Sequence, residues 1–573
     1  MMWQREHRTG EVVTSYLKII GYSAFVGIIV GSGTSVLITL YHIIADFSTE
    51  LVDLNRYLII LIPTIGVIIA YTLVHLFGSS KRTGAGSHRL LEVYHYEGGR
   101  VTLKDTLLSP LASAITIGSG GSAGFEGPSL LLGGGLGSQV AQRLGLKGED
   151  VRTFLLAGAS AGIAAVFKAP LTGIMFGLEV PFKRDFARKA FIPATIASIS
   201  SYIVFITFQG QARLFTQVPE LKLPIGSALL NAFLLGLITA GAGVIFVKSY
   251  QYLGRWVRGV KVNRYILAML SGVIIGTVGL FLPQILGTGY PTINMAINGG
   301  VDVSLLIALL FGKIFLTCIT LRLGGSGGLF VPSIFVGAMV GAIYVSVIPG
   351  AHDPELVIAA MAALIATTNK TLLTGVAFVA ETTGPSSIIL TLITAATAYF
   401  VSGSVSFYEE LQPNDELEAE ESMINILHHQ AEATEAASKL REVQVKELMH
   451  LNPFSLKESE NIGDASNRVI NLPFKEYPVI NDEGRLLGAL TLEDFLLSDE
   501  TNKAKPVGSL SLKIPQVTIP STNLMELTPI ILESEMDNLY IVEDYVLMKL
   551  IGVINETEIL KAMILYTKKP TND

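Results

Sequence analysis

The 573-residue sequence is poor in charge and has almost no cysteine. Charged residues make up 16% of the chain and hydrophobic residues 50%, with a mean hydropathy of +0.52. So little charge cannot cover a soluble globule of this size, and the composition predicts a multi-spanning membrane protein. The single cysteine, Cys318, has no partner within the chain, which excludes intramolecular disulfide bonds.

Signatures of several other protein classes are also missing. The sequence has no stripe of basic residues that would bind nucleic acid. Its acidic residues concentrate after Tyr408, which indicates a solvated segment and no particular binding partner. No small-residue cleavage site follows the polar N-terminus, so a removable signal peptide is not expected. Arg5, Arg8 and Lys18 favour a cytoplasmic N-terminus. His428 and His429 lack a second ligand cluster, and no metal site or enzymatic centre is predicted.

Apolar runs close to the length of about 20 residues that crosses a bilayer recur before residue 402. Six are evident: Leu58 to Phe77, Ala228 to Val247, Ile266 to Leu282, Val303 to Leu321, Leu356 to Ala380 and Ile388 to Val401. Several are short or contain Gly or Pro, so tilted and broken helices are expected. We predict an all-α membrane bundle over residues 1–410, with repeats at about 10–210 and 225–410.

One glycine-rich stretch places a carboxylate between two apolar runs. Gly118 to Pro128 reads G-S-G-G-S-A-G-F-E-G-P, with Pro128 placed to suit the first turn of a helix. Free N–H groups at such a helix start attract anions, and Glu126 is the leading candidate for a functional residue. The stretch is not a phosphate loop, because no Lys-Ser/Thr pair follows, and it lacks the context of a dinucleotide fingerprint.

The two halves of the membrane part repeat one another. Lys168 to Glu179 matches Lys370 to Glu381 without gaps at an offset of 202 positions. Gly324 to Pro332 echoes the Gly118 to Pro128 stretch, with prolines 204 positions apart. Duplication with interrupted helices is typical of a transporter whose site lies mid-membrane between the repeats. The alternative is that the glycines only allow close helix packing, which explains neither Glu126 nor the paired prolines.

The composition after residue 443 is that of a soluble α/β module. A strand, a turn, a second strand and a helix are predicted from Glu476 to Leu497, and the pattern recurs from Asn538 to Leu560. We therefore predict a tandem pair at about 443–500 and 505–567 within a domain spanning 443–573, joined to the membrane part by an acidic helical linker at 411–442.

Four motifs together resemble the CLC family of chloride channels and proton-coupled chloride antiporters with CBS domains. G-F-E-G-P at Gly124 to Pro128 is similar to the family's G-R/K-E-G-P, and G-G-L-F-V-P at Gly327 to Pro332 to its G-G-x-F-x-P. G-A-G-S-H at Gly84 to His88 sits where the family has G-S-G-I-P. Tyr408 occupies the position of the family's pore tyrosine, which follows the last membrane helix. A tyrosine at the membrane interface would look the same in sequence.

The resemblance implies an inverted-repeat bundle of tilted and re-entrant helices, with one pore per subunit in a homodimer. Glu126 would be the gating glutamate, competing with an anion for the outer site. The implied anion-binding residues are Ala85, Gly86, Gly124, Phe125, Glu126, Gly127, Gly328, Leu329, Phe330 and Tyr408. Backbone amides suit this task because they stabilise an anion without binding it too tightly to release.

Three departures from the family pattern bear on function. Ala85 replaces the serine of G-S-G-I-P, which removes a hydroxyl donor, and Ser87, two positions on, is not expected to replace it. Val180 occupies the position where antiporters carry an internal proton glutamate, while Glu179 matches a structural neighbour of that glutamate. Phe125 replaces the cation before the gating glutamate, with an effect whose direction stays open.

The soluble pair resembles CBS domains that bind adenine nucleotides. Thr491 and Asp494 match the ribose-contacting positions, and Asn555 and Glu558 stand in a weaker second copy. A helix cap without any ligand would give the same pattern. No other cofactor is expected.

The leading hypothesis is a cell-membrane permease for chloride or another halide, with CBS domains in the cytoplasm that modulate it. Val180 favours channel-like or weakly coupled transport, and a proton-coupled chloride antiporter is the alternative. A CBS-containing cation transporter, such as one for magnesium, is a more distant alternative, because cation pathways need rings of carboxylates or carbonyls. A nucleotide sensor on an inert anchor would not need two matched repeats.

Overall fold

The computed structural model describes residues 2–215, 224–351, 353–384, 388–415, 419–432, 436–470, 472, 475–496, 503–532 and 538–567. The chain divides into two compact units. The first consists of Met1–Tyr94 with Gly98–Glu416, and the second of His95–Glu97 with Leu417–Asp573.

Helices joined by short loops make up the described residues of the first unit. Its α-helices are α1 Met2–Leu54, α2 Leu58–Phe77, α3 Gly86–Tyr96, α4 Leu103–Gly118, α5 Glu126–Arg143, α6 Glu149–Phe167, α7 Pro170–Glu179, α8 Phe191–Gln209, α9 Ile225–Gly259, α10 Arg264–Phe281, α11 Tyr290–Asn298, α12 Val303–Leu323, α13 Phe330–Val347, α14 Pro354–Asn369, α15 Leu372–Thr383 and α16 Ile388–Val401. Short 3-10 turns lie at Arg188–Ala190 and Pro283–Ile285.

Eight helices in the described part of the chain are long and apolar enough to cross a membrane. The predicted runs in α2, α9, α10 and α12 are among them. The predicted run from Leu356 to Ala380 is instead broken into α14 and α15 at Lys370, whose φ is 59°. The six predicted runs did not include the spans in α1, α6, α8 and α13. In α6 and α13, 83% and 78% of the spanning windows are buried inside the bundle, where Gly, Ala and Ser residues allow close helix packing.

The two halves of the bundle are related by reciprocal hydrogen bonds between matched residues. Glu179, at the end of α7, accepts from the backbone N–H groups of Leu373 (2.9 Å) and Thr374 (2.7 Å) at the start of α15. Glu381, near the end of α15, accepts in the same way from Leu171 and Thr172 at the start of α7. Each helix thus ends where the other begins, so α7 and α15 are antiparallel and related by a local two-fold axis perpendicular to both. This is the relation of an inverted repeat.

A second reciprocal pair lies at the glycine-rich breaks. The N–H of Ser122 donates to Thr320 Oγ1, and the N–H of Ser326 donates to Thr116 Oγ1, both at 3.2 Å. Both matched pairs are separated by 204 positions in the sequence. The duplication predicted from sequence is therefore confirmed in three dimensions, and its axis passes close to both breaks.

The second unit contains two small sheets flanked by helices. Its elements are α17 Ala419–Glu432, α18 Ala436–Glu442, β1 His450–Leu451, β2 Leu456–Lys457, α19 Ile462–Val469, β3 Glu476–Ile480, β4 Leu486–Thr491, α20 Leu492–Leu496, β5 Val517–Thr518, α21 Leu524–Leu532, β6 Asn538–Val542, β7 Leu550–Asn555 and α22 Glu556–Thr567. The sheets have the strand orders β2-β3-β4 and β1-β7-β6-β5.

The two copies predicted in this unit share one register. Glu476 pairs with Thr491 in the first antiparallel hairpin, and Asn538 pairs with Asn555 in the second, each with a register shift at the matching place. The segment expected as a polar linker differs from that expectation. Ile424 of α17 and Leu440 of α18 are fully buried in the core of this unit, because the two helices present an apolar face to α21 and α22.

Candidate functional site

Three glycine-rich breaks meet at one place in the first unit. The N–H of Gly86 donates to the carbonyl of Gly327 (3.2 Å), and the N–H of Gly327 donates to the carbonyl of Gly84 (3.1 Å). The N–H of Gly124 donates to the carbonyl of Gly328 (3.0 Å). Because α3, α5 and α13 all begin beside these bonds, the positive ends of three helices converge.

The breaks approach one another so closely that side chains would not fit between them. A Cβ on Gly86 would lie 2.5 Å from the carbonyl oxygen of Gly127, and a Cβ on Gly127 would lie 2.7 Å from the carbonyl oxygen of Gly327. Glycine at these positions is therefore a requirement of the backbone contact. The glycines of the motif are therefore needed for two reasons: the backbones of the breaks lie in close contact, and the chain turns sharply before each helix.

Glu126 is the first residue of α5, and its side chain reaches across to α13. Its Oε1 accepts from the backbone N–H of Phe330 at 2.5 Å. Its Oε2 is also buried and has no hydrogen-bond partner of good geometry among the described residues, although the backbone N–H groups of Glu126 and Val331 lie close enough to interact with the carboxylate. The side chain is only 2% exposed. The carboxylate thus occupies the start of α13, where the helix dipole favours an anion.

Two glycines make room for this carboxylate. A Cβ on Gly124 would lie 2.0 Å from Glu126 Oε2, and a Cβ on Gly328 would lie 1.9 Å from Oε1. The carboxylate is therefore seated between the breaks of the two repeats, one on each side. The predicted residues Gly124, Glu126 and Gly328 form a single site in the fold.

Aromatic side chains surround the start of α13. The Phe330 ring contacts Phe167 of α6, Phe176 of α7 and Phe378 of α15, with centroids 5.2 to 5.4 Å apart. Leu329 is fully buried beside it. These apolar groups exclude competing water, so the N–H groups at this helix start keep their attraction for an anion.

Phe125 lies inside the protein at the position where the resembled family carries a cation. Its side chain is 2% exposed, and its ring contacts Tyr41 edge to face at 4.6 Å. An apolar ring in this environment is well packed. A cation here would lack the water that a charged group needs.

A buried lysine that the sequence argument did not consider lies on α12. Lys313 Nζ donates to the carbonyl oxygens of Ile285 (3.0 Å) and Gly287 (2.8 Å), and it lies 4.9 Å from the centre of the Phe335 ring. It is fully buried and interacts electrostatically with Glu126. The structure thus places a basic side chain in electrostatic interaction with Glu126, from a different element than the family motif would suggest. A charged residue within the run Val303 to Leu321 is the sequence signal that could have drawn attention to it.

A second cluster of polar groups surrounds Tyr408, which follows α16. The Tyr408 hydroxyl lies 3.0 Å from Ser87 Oγ and 3.1 Å from Asn369 Oδ1. All three side chains are buried. Because Ser87 is the second residue of α3, this cluster lies one residue beyond the converging breaks.

Ser87 was not expected to replace the hydroxyl that Ala85 lacks, and the structure places the Ser87 hydroxyl in contact with Tyr408. Ala85 has no hydroxyl and forms a bridge through its backbone with Gly327. The turn into α3 instead brings the Ser87 hydroxyl to the phenol. Sequence reasoning missed both Ser87 and Asn369, because their contact with Tyr408 spans 321 and 39 positions of the chain.

The segment that carries Tyr408 is fixed by hydrogen bonds to three other elements. Gln412 Nε2 donates to the carbonyl oxygens of Val180 (2.7 Å) and Asn369 (3.0 Å). The N–H of Phe407 donates to the Thr368 carbonyl, and His88 Nε2 lies 3.0 Å from the Phe407 carbonyl oxygen. Val180 is fully buried and offers only its backbone here. Glu179 beside it serves as the helix cap described above.

The candidate nucleotide-binding residues lie in the second unit and form helix caps. Asp494 Oδ2 accepts from the Thr491 N–H (2.7 Å) and from the Thr491 hydroxyl (2.8 Å). In the second copy, Glu558 accepts from the Asn555 N–H, while Asn555 Oδ1 accepts from the Glu558 N–H. Glu558 also pairs with His450. The second copy therefore has the reciprocal geometry of a capping box, whereas the first copy shows only the bonds accepted by its carboxylate.

Comparisons with known proteins agree with this architecture. A family model described as voltage gated chloride channel matches residues 65–403, and a CBS domain model matches residues 445–499. An uncharacterised protein of Methanocaldococcus jannaschii is 28% identical over 363 residues, which cover 62% of this chain and 87% of that protein.

Two further comparisons concern named transporters. The H(+)/Cl(-) exchange transporter ClcA of Vibrio cholerae is 32% identical over 292 residues, which cover 48% of this chain and 62% of that protein. A solved structure of a eukaryotic CLC transporter superposes with a TM-score of 0.62 at 18% identity, covering 95% of this chain and 98% of that one. At this identity, the structural likeness concerns the fold alone.

Proposed function

The chain belongs to the voltage gated chloride channel family, and on that premise we propose that it carries chloride or a similar small anion across the membrane. Each subunit would hold one pathway gated by Glu126. The observation that carries the proposal is the Glu126 carboxylate on the Phe330 N–H. A negative group already fills a site formed by helix N-termini, so an anion that replaces it would meet the same donor.

Gating follows from competition for that donor. When Glu126 is protonated or displaced, its carboxylate no longer holds the Phe330 N–H, and an anion takes its place. The carboxylate is almost completely buried, and the loss of water around a charged group opposes the seated state. Lys313 adds attraction for an anion entering the site without binding it directly.

Transport is proposed to be channel-like or only weakly coupled to protons. Val180 presents no titratable group at the inner position, and the neighbouring Glu179 is used as a cap. The alternative is proton-coupled chloride antiport, the activity in the printed name of the Vibrio cholerae relative.

A cation transporter remains the more distant alternative. Its pathway would need several oxygen ligands, whereas the carboxylate at the three breaks is bound by the backbone N–H of Phe330 at a helix start.

Assembly and regulation belong to the same proposal. We infer a homodimer in the cell membrane, with the N-terminus and the CBS pair in the cytoplasm. An adenine nucleotide is proposed to bind the CBS pair at Thr491 and Asp494, which lie together at the start of α20.

Flux from liposomes containing the purified protein tests the proposal. Chloride-loaded vesicles are diluted into a chloride-free impermeant anion, and a chloride electrode and a pH electrode record both ions. Rapid chloride efflux with little uphill proton movement is expected, and replacing sodium with potassium or magnesium should leave the flux unchanged. Robust chloride-driven proton pumping would overturn weak coupling in favour of antiport, and flux that follows the cation would overturn anion transport itself.

A further inference from the structure

Asn369 is a buried amide at the last position of α14, next to the Tyr408 hydroxyl. Its side chain is completely buried, so its polar atoms need hydrogen-bond partners within the protein. Those partners determine which end of the amide faces the anion pathway.

The orientation of the amide follows from its neighbour Thr368. The Thr368 hydroxyl donates its single proton to the Leu364 carbonyl at 2.7 Å. It can therefore only accept from Asn369, and the group 3.0 Å away must be the Nδ2 donor. Asn369 Oδ1 then faces the Tyr408 hydroxyl at 3.1 Å.

In this orientation of the amide, Tyr408 donates its phenolic proton to Asn369 Oδ1. A carboxamide oxygen can only accept, so the hydrogen bond between Tyr408 and Asn369 uses the one proton that Tyr408 has. The Ser87 hydroxyl, 3.0 Å from the phenol oxygen, is under no such constraint and can turn its proton either to the phenol or to a bound anion.

The internal repeat shows that the fold does not require an amide at this position. At the offset of 202 positions, Asn369 corresponds to Phe167, the last residue of α6. Phe167 packs against Phe330 and Phe378 without any polar group. The same helix end thus accommodates an apolar side chain in one repeat, and the amide in the other needs a different explanation.

We propose that Asn369 is a specificity-determining residue that competes with the transported anion for the phenolic proton of Tyr408. The inference rests on the proposed anion transport and deepens it. An anion bound beside Tyr408 first accepts a hydrogen bond from the Ser87 hydroxyl. It accepts a second one from Tyr408 only if it displaces Asn369 Oδ1 from the phenolic proton. An anion that is bound more weakly dissociates sooner, which favours fast conduction.

The competition also bears on selectivity. Fluoride and chloride are stronger hydrogen-bond acceptors than iodide, so they gain more from a free phenolic proton. Removing the competing oxygen should therefore raise affinity for fluoride and chloride more than for iodide.

Calorimetric titration of the full-length protein with sodium chloride tests the competition. In Asn369→Leu, chloride affinity should rise by about two- to tenfold, the value of one hydrogen bond in binding, and the maximal liposome flux should fall. Adding Tyr408→Phe to this variant should remove the gain, whereas Tyr408→Phe alone should change affinity little. This double-mutant cycle isolates the coupling between the two side chains.

Thr367→Val is the matched control. Thr367 lies on the same helix, is equally buried, and its hydroxyl has no hydrogen-bond partner among the described residues, so chloride affinity should stay the same. An unchanged or lower affinity in Asn369→Leu, or a gain that survives Tyr408→Phe, would overturn the role of Asn369.

A pair of single variants provides an independent test if Asn369→Leu fails to fold. Ser87→Ala should weaken chloride binding more than Tyr408→Phe does, and the reverse order would overturn the proposal. Wild-type protein that neither binds nor transports a halide would overturn the proposed function itself, whereas halide transport with no coupling in the cycle would overturn only the role of Asn369.

Discussion

The carboxylate of Glu126 and the N–H of Phe330 form the contact on which gating depends. Their 2.5 Å hydrogen bond joins the first residue of α5 to the first residue of α13. The helix start contributes partial positive charge, while burial of the carboxylate opposes the charged, seated state. Because these two effects oppose each other, a small anion can replace the carboxylate at the Phe330 N–H, and a proton can release the carboxylate from it.

At the residue scale, we predict that Gly124→Ala expels the carboxylate from its seat. The added Cβ would lie 2.0 Å from Glu126 Oε2, and the side chain must move to relieve the clash. Chloride flux in liposomes should become less dependent on pH, and adding Glu126→Ala should have little further effect. Gly241→Ala is the control, since a Cβ at that helical glycine meets no atom within 4 Å. Wild-type pH dependence in Gly124→Ala would show that the seat is not needed for gating.

Short motifs predicted some residues of the candidate site but not others. Glu126, Gly124 and Gly328 stand within two glycine-rich stretches that sequence alone marks as helix starts. Asn369 and Lys313 belong to no such motif, and Ser87 stands in the Gly84 to His88 motif without a role that the motif predicts. Their importance arises from contacts between segments far apart in the chain, which a pattern of neighbouring residues does not encode.

The reciprocal caps of α7 and α15 connect the two repeats at the scale of the helix. Each glutamate satisfies two backbone N–H groups and one threonine hydroxyl of the opposite repeat. These donors would otherwise be left unpaired at a helix start. The caps therefore fix the two repeats in register around the central site.

Removing either cap should destabilise the bundle. Glu179→Ala and Glu381→Ala are each expected to cost about 2–3 kcal/mol, the value of hydrogen bonds to a charged group, because they leave equivalent donors unpaired. Loss of folded protein on heating in detergent, followed by size-exclusion chromatography, measures the effect. Glu50→Ala on the exposed face of α1 should leave the melting temperature unchanged. A loss confined to one of the two caps would contradict the symmetry of the pair.

Composition predicted that some helices are broken, but it did not place a break within the run from Leu356 to Ala380. Leu356 to Ala380 reads as one span, yet Lys370 adopts a left-handed conformation (φ 59°) and ends α14. Lys168 ends α6 in the same way (φ 53°). The sequence match between the repeats includes both lysines, so the repeat carried this information although hydropathy did not.

At the scale of the whole molecule, composition separates the membrane bundle from the soluble unit. The change was expected near residue 443, whereas the second unit begins at residue 417, because α17 and α18 look polar in sequence yet bury Ile424 and Leu440. Strand and helix patterns identified both copies of the soluble fold. Duplication is thus the organising feature of each unit, and in the membrane bundle it creates the site.

The pH dependence of chloride flux in wild-type and Glu126→Gln liposomes tests the central claim most directly. Protonation neutralises the carboxylate and releases the Phe330 N–H, so wild-type flux should rise as the pH falls. Glu126→Gln cannot titrate, and its flux should be the same across that pH range. Equal pH dependence in both proteins would contradict the account, because the group that responds to protons would then lie elsewhere.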